Sequence, residues 1–433
     1  MTGSHWRRLR TAITLNPSKS EVVGFPPEEE VPFLPMEAIG EDGSLALDQA
    51  RPFSKLQTGY TYFRNGDVLI AKITPCFENG KGAVVASLDT GFGFGTTELI
   101  VARPRSECVD SRYLFWIFQS PEFRGFGEGA MYGAGGQKRI PDDFVRNYRA
   151  WLPPLPEQTA IAAFLDRETG KIDALVEEQR RLIELLKEKR QAVISHAVTK
   201  GLDPNVRMKP SGVEWLGDVP EHWEVVALKR NLEFLTSGSR GWAEHYSDDG
   251  ALFLRIGNLT RDSLHLDLSD VQRVSVPSGS ESERTRVRGG DILFSITAFL
   301  GSVAVVPDDL EPAYVSQHLA LARLRDRTVL PRWVGYAALS SIGKGHFLAS
   351  GYGGTKIQLS LDDIALLPIP KPPAAEQRAI LAYLDNELTR ITSLQTAAEE
   401  VIALLQERRS ALISAAVTGK IVVRNFNAQE EAA

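Results

Sequence analysis

Long hydrophobic runs and cysteine are both scarce in this chain of 433 residues. Apolar runs are short, and runs such as 162–165 and 364–367 fall far short of the roughly 20 apolar residues that a membrane helix needs. No apolar stretch of signal-peptide type follows the arginines near the amino terminus. The cysteines Cys76 and Cys108 suit a reducing compartment and are too few for a four-cysteine zinc site. We therefore expect a cytoplasmic protein that makes no contact with a membrane.

Catalytic motifs are missing as well. The chain has no GxxxxGK[ST] phosphate loop, and none of its Pro-Pro pairs fits the Asn/Asp-Pro-Pro-aromatic motif of amino-methyltransferases. No acidic-x-Lys motif follows the Pro-Asp pairs at 141–142 and 307–308, as a nuclease of that type would need. The 7 histidines show no metal-ligand spacing. We expect no catalytic residue, no metal site and no cofactor in this chain.

A global excess of basic residues is also absent, because the formal net charge is −6. Residues 1–156 hold 17 basic and 18 acidic residues, and residues 202–375 hold 18 and 21. Any site for nucleic acid must therefore be a local patch, with acidic side chains facing elsewhere.

What the chain does have is a long internal repeat. Residues 157–201 align without a gap to residues 376–420, and 21 of 45 positions are identical. The first copy begins EQTAIAAFLD, the second begins EQRAILAYLD, and both end near an AVT triplet. Chance does not produce an ungapped match of this length, so the repeat indicates a duplication.

Each copy of the repeat has the pattern of a long amphipathic helix. Prolines precede each copy, a glycine marks its carboxy-terminal end, and apolar residues recur in alternating steps of four and three. Such a pattern predicts a seam that packs against a partner helix. The predicted seam residues are Ile161, Leu165, Ile172, Leu175, Leu182, Leu186, Val193, Ile380, Leu384, Ile391, Leu394, Val401, Leu405 and Leu412.

Two equivalent helices in one chain pair most simply with each other, antiparallel about a pseudo-twofold axis, and form a spacer between whatever precedes each of them. The alternatives are helices that pad a core or that form a homodimer zipper. We predict a first domain at 1–156, a central helix at 157–201, a linker and second domain at 202–375, a carboxy-terminal helix at 376–420 and a tail at 421–433. Both domains carry Val/Ile/Phe runs broken by glycine, which indicates strands and turns with short helices.

Glycine-anchored polar loops are the candidate binding sites. Arg or Lys can read guanine, and Gln or Asn can read adenine. An ordinary solvated turn remains the alternative for each of these residues. The candidates for DNA contact are Lys72, Lys81, Gln137, Lys138, Arg139, Arg240, Trp242, Tyr246, Thr355, Lys356 and Gln358.

With these motifs the whole chain resembles the specificity subunits of type I restriction-modification systems. The resemblance rests on the duplicated proline-EQ helices, on WLGDVPEHW at 215–223, and on the paired segments GDVL at 66–69 and GDIL at 290–293. The first domain lacks the WLG lead-in, so its opening strand is less clearly marked.

The resemblance implies an α+β fold of two target-recognition domains, each a twisted sheet with helices, joined by an antiparallel two-helix coiled coil. It also implies that each domain reads one half of a split double-stranded DNA site. Two adenine-methylating subunits, with S-adenosylmethionine, and a translocating nuclease subunit, with ATP and Mg, are then the partners. The alternatives are the recognition half of a system with one separate methyltransferase-nuclease chain, and a coiled-coil scaffold with two protein-binding domains.

Overall fold

The computed structural model describes residues 5–134, 136–297, 300–326, 328–350, 358–421 and 423. Its contacts divide the chain into two compact units. Unit 1 comprises residues 1–179 and 399–433, and unit 2 comprises residues 180–398. Each unit therefore contains one domain together with half of each long helix, a division that differs from the predicted boundaries at the helix ends.

Among its described residues, unit 1 has ten short strands and four short α-helices before the first long helix. The strands are β1 Trp6–Arg8, β2 Ile13–Leu15, β3 Glu30–Leu34, β4 Ala50–Pro52, β5 Thr61–Arg64, β6 Val68–Ala71, β7 Gly82–Val84, β8 Phe92–Gly95, β9 Leu99–Pro104 and β10 Arg149–Trp151. The helices are α1 Phe53–Leu56, α2 Ser111–Gln119, α3 Pro121–Ala130, α4 Asp142–Asn147 and α5 Leu155–Lys200.

The strands of unit 1 form two four-stranded sheets with the orders β2-β9-β6-β7 and β4-β3-β8-β5, and β1 pairs with β10. Strands β6 and β9 do not alternate between buried and exposed residues, because almost every residue in them is buried. Helix α2 packs its aromatic side chains into the core that the first sheet shares with the start of α5. The Asp110 carboxylate caps this helix by accepting from the Tyr113 amide at 2.9 Å.

The described residues of unit 2 form twelve further strands. They are β11 Met208–Pro210, β12 Asp218–Pro220, β13 Glu224–Ala227, β14 Leu232–Ser237, β15 Tyr246–Ser247, β16 Ala251–Leu254, β17 Arg273–Val274, β18 Ile292–Ser295, β19 Val303–Val305, β20 Ala313–Val315, β21 Leu319–Leu324 and β22 Pro368–Lys371. The helices are α6 Ser280–Thr285, α7 Pro331–Leu339, α8 Ser341–Ser350, α9 Leu361–Ala365 and α10 Ala374–Val417.

One four-stranded sheet of unit 2 repeats the topology of the first sheet of unit 1. Its order β14-β21-β18-β19 corresponds to β2-β9-β6-β7, and the pair β13-β22 corresponds to β1-β10. In the second sheet the parallel pair β16-β20 corresponds to β3-β8. The hairpin β11-β12, within which WLGD begins, is additional to this common plan. The faint echo between the two blocks in the sequence therefore reflects one shared fold.

The duplicated segments form the long helices α5, with 46 residues, and α10, with 44. Each begins within its proline-rich segment, two residues before the predicted start. Gly201 and Gly419 adopt left-handed φ values of 74° and 72° beyond the carboxy-terminal ends, a conformation that glycine reaches without steric cost. Of the helices in the described part of the chain, none is long and apolar enough to cross a membrane.

Repeat-equivalent residues link the two long helices within each unit. In unit 1, Arg409 Nε donates to Asp173 Oδ1 at 2.9 Å. In unit 2, Arg190 Nη2 donates to Thr392 Oγ1 at 2.5 Å. Arg190 aligns with Arg409 and Asp173 with Thr392, so the same antiparallel register holds inside both units.

The buried face of the helices differs from the predicted seam in its middle part. Leu175, Leu182, Leu394 and Val401 are exposed, and these four predictions are wrong. Val176 is buried instead, as is Ala398 in the other helix. Val176 lies four residues after Ile172, and Ala398 lies seven residues after Ile391. Both spacings fall on one face of a helix with 3.6 residues per turn.

Candidate nucleic-acid interface

The loops of unit 1 that carry the candidate residues meet at the carboxy-terminal end of strand β6. The Lys72 amide, directly after β6, donates to the Glu98 carbonyl at 2.9 Å. The loop after α3 folds onto the same place, because the Thr74 amide donates to the Lys138 carbonyl at 2.9 Å and the Ile140 amide donates to the Lys72 carbonyl at 2.9 Å. Candidates that lie 66 residues apart in the chain are therefore neighbours in space.

Arg139 and Glu98 form a two-point ion pair at this junction. Arg139 Nε donates to Glu98 Oε2 and Arg139 Nη2 donates to Glu98 Oε1, both at 2.9 Å. Hydrogen bonds from Arg139 hold the pKa of Glu98 below its ordinary value of 4.5 against the opposing effect of burial, and the charge of Lys72 acts in the same direction. The carboxylate therefore stays ionised and fixes the plane of the guanidinium.

A cleft of about 400 Å³ opens beside this pair. Asn16, Ser18, Lys19, Tyr60, Lys72 and Thr97 are among the residues that line it. Gln137 and Lys138 are exposed on the adjoining loop. Lys81 is half-buried, and its ammonium donates to the Met36 carbonyl at 3.3 Å. This surface offers cationic and amide groups from four separate segments of the chain.

Unit 2 builds the same junction with different side chains. The Ile296 amide donates to the His318 carbonyl at 3.1 Å, and the Leu359 amide donates to the Ile296 carbonyl at 3.0 Å. Thr297 forms a β-bridge with Gln358, as Ile73 does with Arg139 in unit 1. The His318 ring lies 3.0 Å from the Thr297 hydroxyl, measured from Nδ1 to Oγ1.

The other candidates of unit 2 have varied surroundings. Arg240 and Tyr246 are exposed. Trp242 is buried, because its ring stacks on Phe253 with centroids 5.7 Å apart and its indole N–H donates to Glu281 at 3.3 Å. It therefore serves the core of the sheet around β16. Thr355 and Lys356 lie outside the described residues.

A buried glutamine attaches each domain to its long helix in the same way. Gln158 Nε2 donates to the carbonyls of Cys108 and Pro153, while its Oε1 accepts from the Asp110 amide at 2.9 Å. Gln377 makes the equivalent three bonds, to the carbonyls of Thr328 and Pro372 and from the Leu330 amide at 2.9 Å. These glutamines are the Q of the duplicated EQ motif.

Ion pairs of the framework are duplicated too. The buried Asp67 carboxylate accepts from Arg103 Nε at 2.7 Å, and the buried Asp291 carboxylate accepts from Arg323 Nε at 2.7 Å. Arg112 pairs with Asp166 on α5, as Arg332 pairs with Asp385 on α10. The framework is thus conserved between the two units, whereas the strand-end side chains are not.

Glu98, Gln317 and His318 lie at these strand ends, and the sequence did not predict them as candidates. A signal for them exists, because TELIVARP at 97–104 aligns with QHLALARL at 317–324 through the shared leucine, alanine and arginine. Residues just before these strands are equivalent in position and different in chemistry. Among the described residues, no cluster of His, Cys, Asp or Glu could hold a metal ion.

Two units of the same topology, each with the same contact between the long helices, define a class of protein with two sheet-rich domains on a duplicated frame. Residues 220–403 match the family described as "Type I restriction modification DNA specificity domain". This part of the chain is therefore similar to the specificity subunits of type I restriction-modification systems. The resemblance noted in the sequence and the expected α+β fold with two sheet-rich domains are confirmed.

Three relatives illustrate the match. The EcoAI specificity subunit of Escherichia coli is 44% identical over 161 residues, which cover 37% of this chain and 27% of that protein. The EcoEI specificity subunit of the same species is 40% identical over 184 residues, or 42% and 30%. The MjaVIII specificity subunit of Methanocaldococcus jannaschii is 22% identical over 339 residues, or 77% and 76%. The matched part is less than a third of either Escherichia coli protein.

Solved structures share the fold. A chain from a study of complex assembly and conformational transition of the type I R-M system superposes with a TM-score of 0.77 at 20% identity, covering 96% of this chain and 98% of that chain. The HsdS subunit from Thermoanaerobacter tengcongensis superposes with a TM-score of 0.57 at 22% identity, covering 96% and 97%.

Proposed function

We propose that this chain is the non-catalytic DNA-recognition subunit of a cytoplasmic type I restriction-modification complex. Each domain reads one half of a split, asymmetric site in double-stranded DNA, and the long helices set the distance between the halves. The observation that carries this proposal is the contrast between a duplicated framework and unlike side chains at equivalent strand ends.

That contrast suits the reading of two different sequences. Lys72, Glu98 and Arg139 in the first domain occupy the backbone positions of Ile296, His318 and Gln358 in the second. Base edges in the major groove are distinguished by the donors and acceptors presented to them. A shared frame with different donor and acceptor sets would therefore place two readers alike and give them different targets.

An exposed apolar stripe on each long helix supports two identical partners. Leu175, Leu182 and Leu185 on α5 are exposed, and so are their repeat equivalents Leu394, Val401 and Leu404 on α10. Exposed apolar surface of this kind marks a site for another protein. We assign the stripes to two adenine-methyltransferase subunits, which would supply S-adenosylmethionine. A nuclease subunit using ATP and Mg would join the assembled complex.

Salt-dependent binding to duplex DNA tests the recognition role. The full chain, with its methyltransferase partner, should select a two-part motif from a random duplex library, and its affinity should fall steeply with salt because bound phosphates release counterions. Binding without a motif or without salt dependence would favour the protein-binding scaffold. The net charge of −6 is consistent with that alternative.

Polar substitutions in the stripes test the partner assignment. Leu182→Gln combined with Val401→Gln should abolish co-purification of the methyltransferase and leave the melting temperature of the chain unchanged. The matched control is Glu188→Gln with Glu407→Gln, an exposed repeat-equivalent pair outside the stripes, which should retain the partner. Retention of the methyltransferase by the leucine–valine variant would refute this assignment.

A further inference from the structure

The ion pair in the first domain leaves one edge of the Arg139 guanidinium unused. Glu98 engages the edge formed by Nε and Nη2. Among the described residues, no acceptor contacts Arg139 Nη1, and the side chain is 35% exposed to solvent. The edge formed by Nη1 and Nη2 therefore retains hydrogen-bond donors that point away from the carboxylate.

We infer that Arg139 reads one guanine in the half-site of the first domain, with Glu98 as its positioning residue. This inference rests on the proposed function and assigns it to particular atoms. Two parallel N–H donors match the O6 and N7 acceptors that guanine presents in the major groove. A carboxylate that holds the guanidinium plane in advance reduces the side-chain freedom lost on binding.

The neighbours of the pair separate base reading from phosphate binding. Lys138 is exposed on the same loop, and Lys72 and Lys19 line the adjoining cleft. Flexible ammonium groups act as point charges on phosphates, whereas a fixed guanidinium suits a planar acceptor pair. The lysines thus contribute affinity, and Arg139 contributes the choice of base.

The equivalent position of the second domain carries a different reader. Gln358 forms the bridge with Thr297 that Arg139 forms with Ile73, and its side chain is exposed. An amide offers one donor and one acceptor, which match N7 and the N6 amino group of adenine. The same position therefore reads guanine in one half-site and adenine in the other.

Selection from a random duplex library tests this assignment with the full chain and its methyltransferase. R139Q should lower the preference for guanine at one position of one half by about 10-fold or more and leave the other half unchanged. E98Q should weaken the same preference at the same position. Q358R should convert an adenine preference to guanine in the other half.

The neighbouring Lys138→Gln is the control, because loss of a phosphate contact should weaken binding to all sequences alike. Replacing the selected guanine by 7-deazaguanine removes N7, so wild type should lose affinity while R139Q should not respond. An unchanged motif for R139Q, or a uniform loss of affinity, would overturn the inference and leave the proposed function intact. Failure of wild type to select any motif would instead overturn the proposed function.

Discussion

Gln158 and Gln377 show how single residues define the frame. Each side chain is fully buried and satisfies three backbone groups at the junction between a domain and its long helix. A buried amide or carbonyl that loses its partner costs about 1–3 kcal/mol. An apolar residue would leave these backbone groups without a partner, which explains why both copies of the EQ motif carry glutamine.

We predict that Gln158→Leu destabilises the junction of the first domain by about 3 kcal/mol, because three backbone groups lose their partner. Hydrogen exchange should accelerate in α2, which begins beside Asp110, and remain unchanged in α7. Gln377→Leu is the reciprocal control and should accelerate exchange in α7 alone. Equal acceleration in both helices, or in neither, would contradict the assigned role.

The sequence identified the EQ motif as duplicated but could not say what its glutamine does. The partners of Gln158 are backbone atoms up to 50 residues away, and only the folded chain brings them together. The same limit applies to Trp242, whose loop indicated a binding residue until the structure placed its ring on Phe253. The alignment of the two strands places Glu98 and His318 at equivalent positions, but only the folded chain brings Arg139 beside Glu98.

At the scale of elements, the seam of the long helices was predictable in period but not in phase. In α5, leucine, isoleucine or valine stands at both candidate positions, at Leu175 and Val176 and at Leu182 and Ile183. Period alone cannot decide which of two adjacent apolar residues faces the partner helix. The structure assigns the inner position to Val176 and leaves Leu175 exposed.

The two Arg-centred contacts across the helix pair permit a matched test. Arg409 has a carboxylate partner in Asp173, whereas Arg190 donates to two neutral groups, the Thr392 hydroxyl and the Gln395 amide oxygen. Arg190 Nε is buried with no partner among the described residues. Thr392→Asp should therefore stabilise the contact between the long helices in unit 2 by about 1 kcal/mol, through a charge-assisted hydrogen bond.

Denaturant unfolding followed by hydrogen exchange in residues 180–200 and 374–398 measures this effect. Thr392→Asn is the control, because it keeps a polar group of similar shape and adds no charge, and it should leave stability within about 0.5 kcal/mol of wild type. Destabilisation by Thr392→Asp would show that Arg190 does not pair with a carboxylate at this position.

At the scale of the whole molecule, the long helices are proposed to act as a ruler. Seven residues inserted after Gln179 and after Ala398 keep the heptad phase and fall at the boundaries of the two compact units. They lengthen each helix by about 10.5 Å, or roughly three base pairs of B-DNA. Three base pairs also rotate the groove by about 100°, while a heptad turns a helix by only about 20°.

We expect this insertion to weaken binding and to change the preferred spacer by a few base pairs, with both half-sequences unchanged. Compensation must come from the segment 202–212 or from twist in the DNA. Sequencing of the methylated sites in cells measures the spacer. An unchanged spacer with full activity would show that the helices do not set the distance.

The central claim is that each domain reads its own half of the target, and a block exchange tests it most directly. Residues 209–368 are replaced by the equivalent block of a relative, and the methylated sites are sequenced from cells that express the hybrid with its methyltransferase. We predict that one half of the methylated sequence changes to that of the relative and that the other half and the spacer stay the same. A change in both halves, or in neither, would contradict the account.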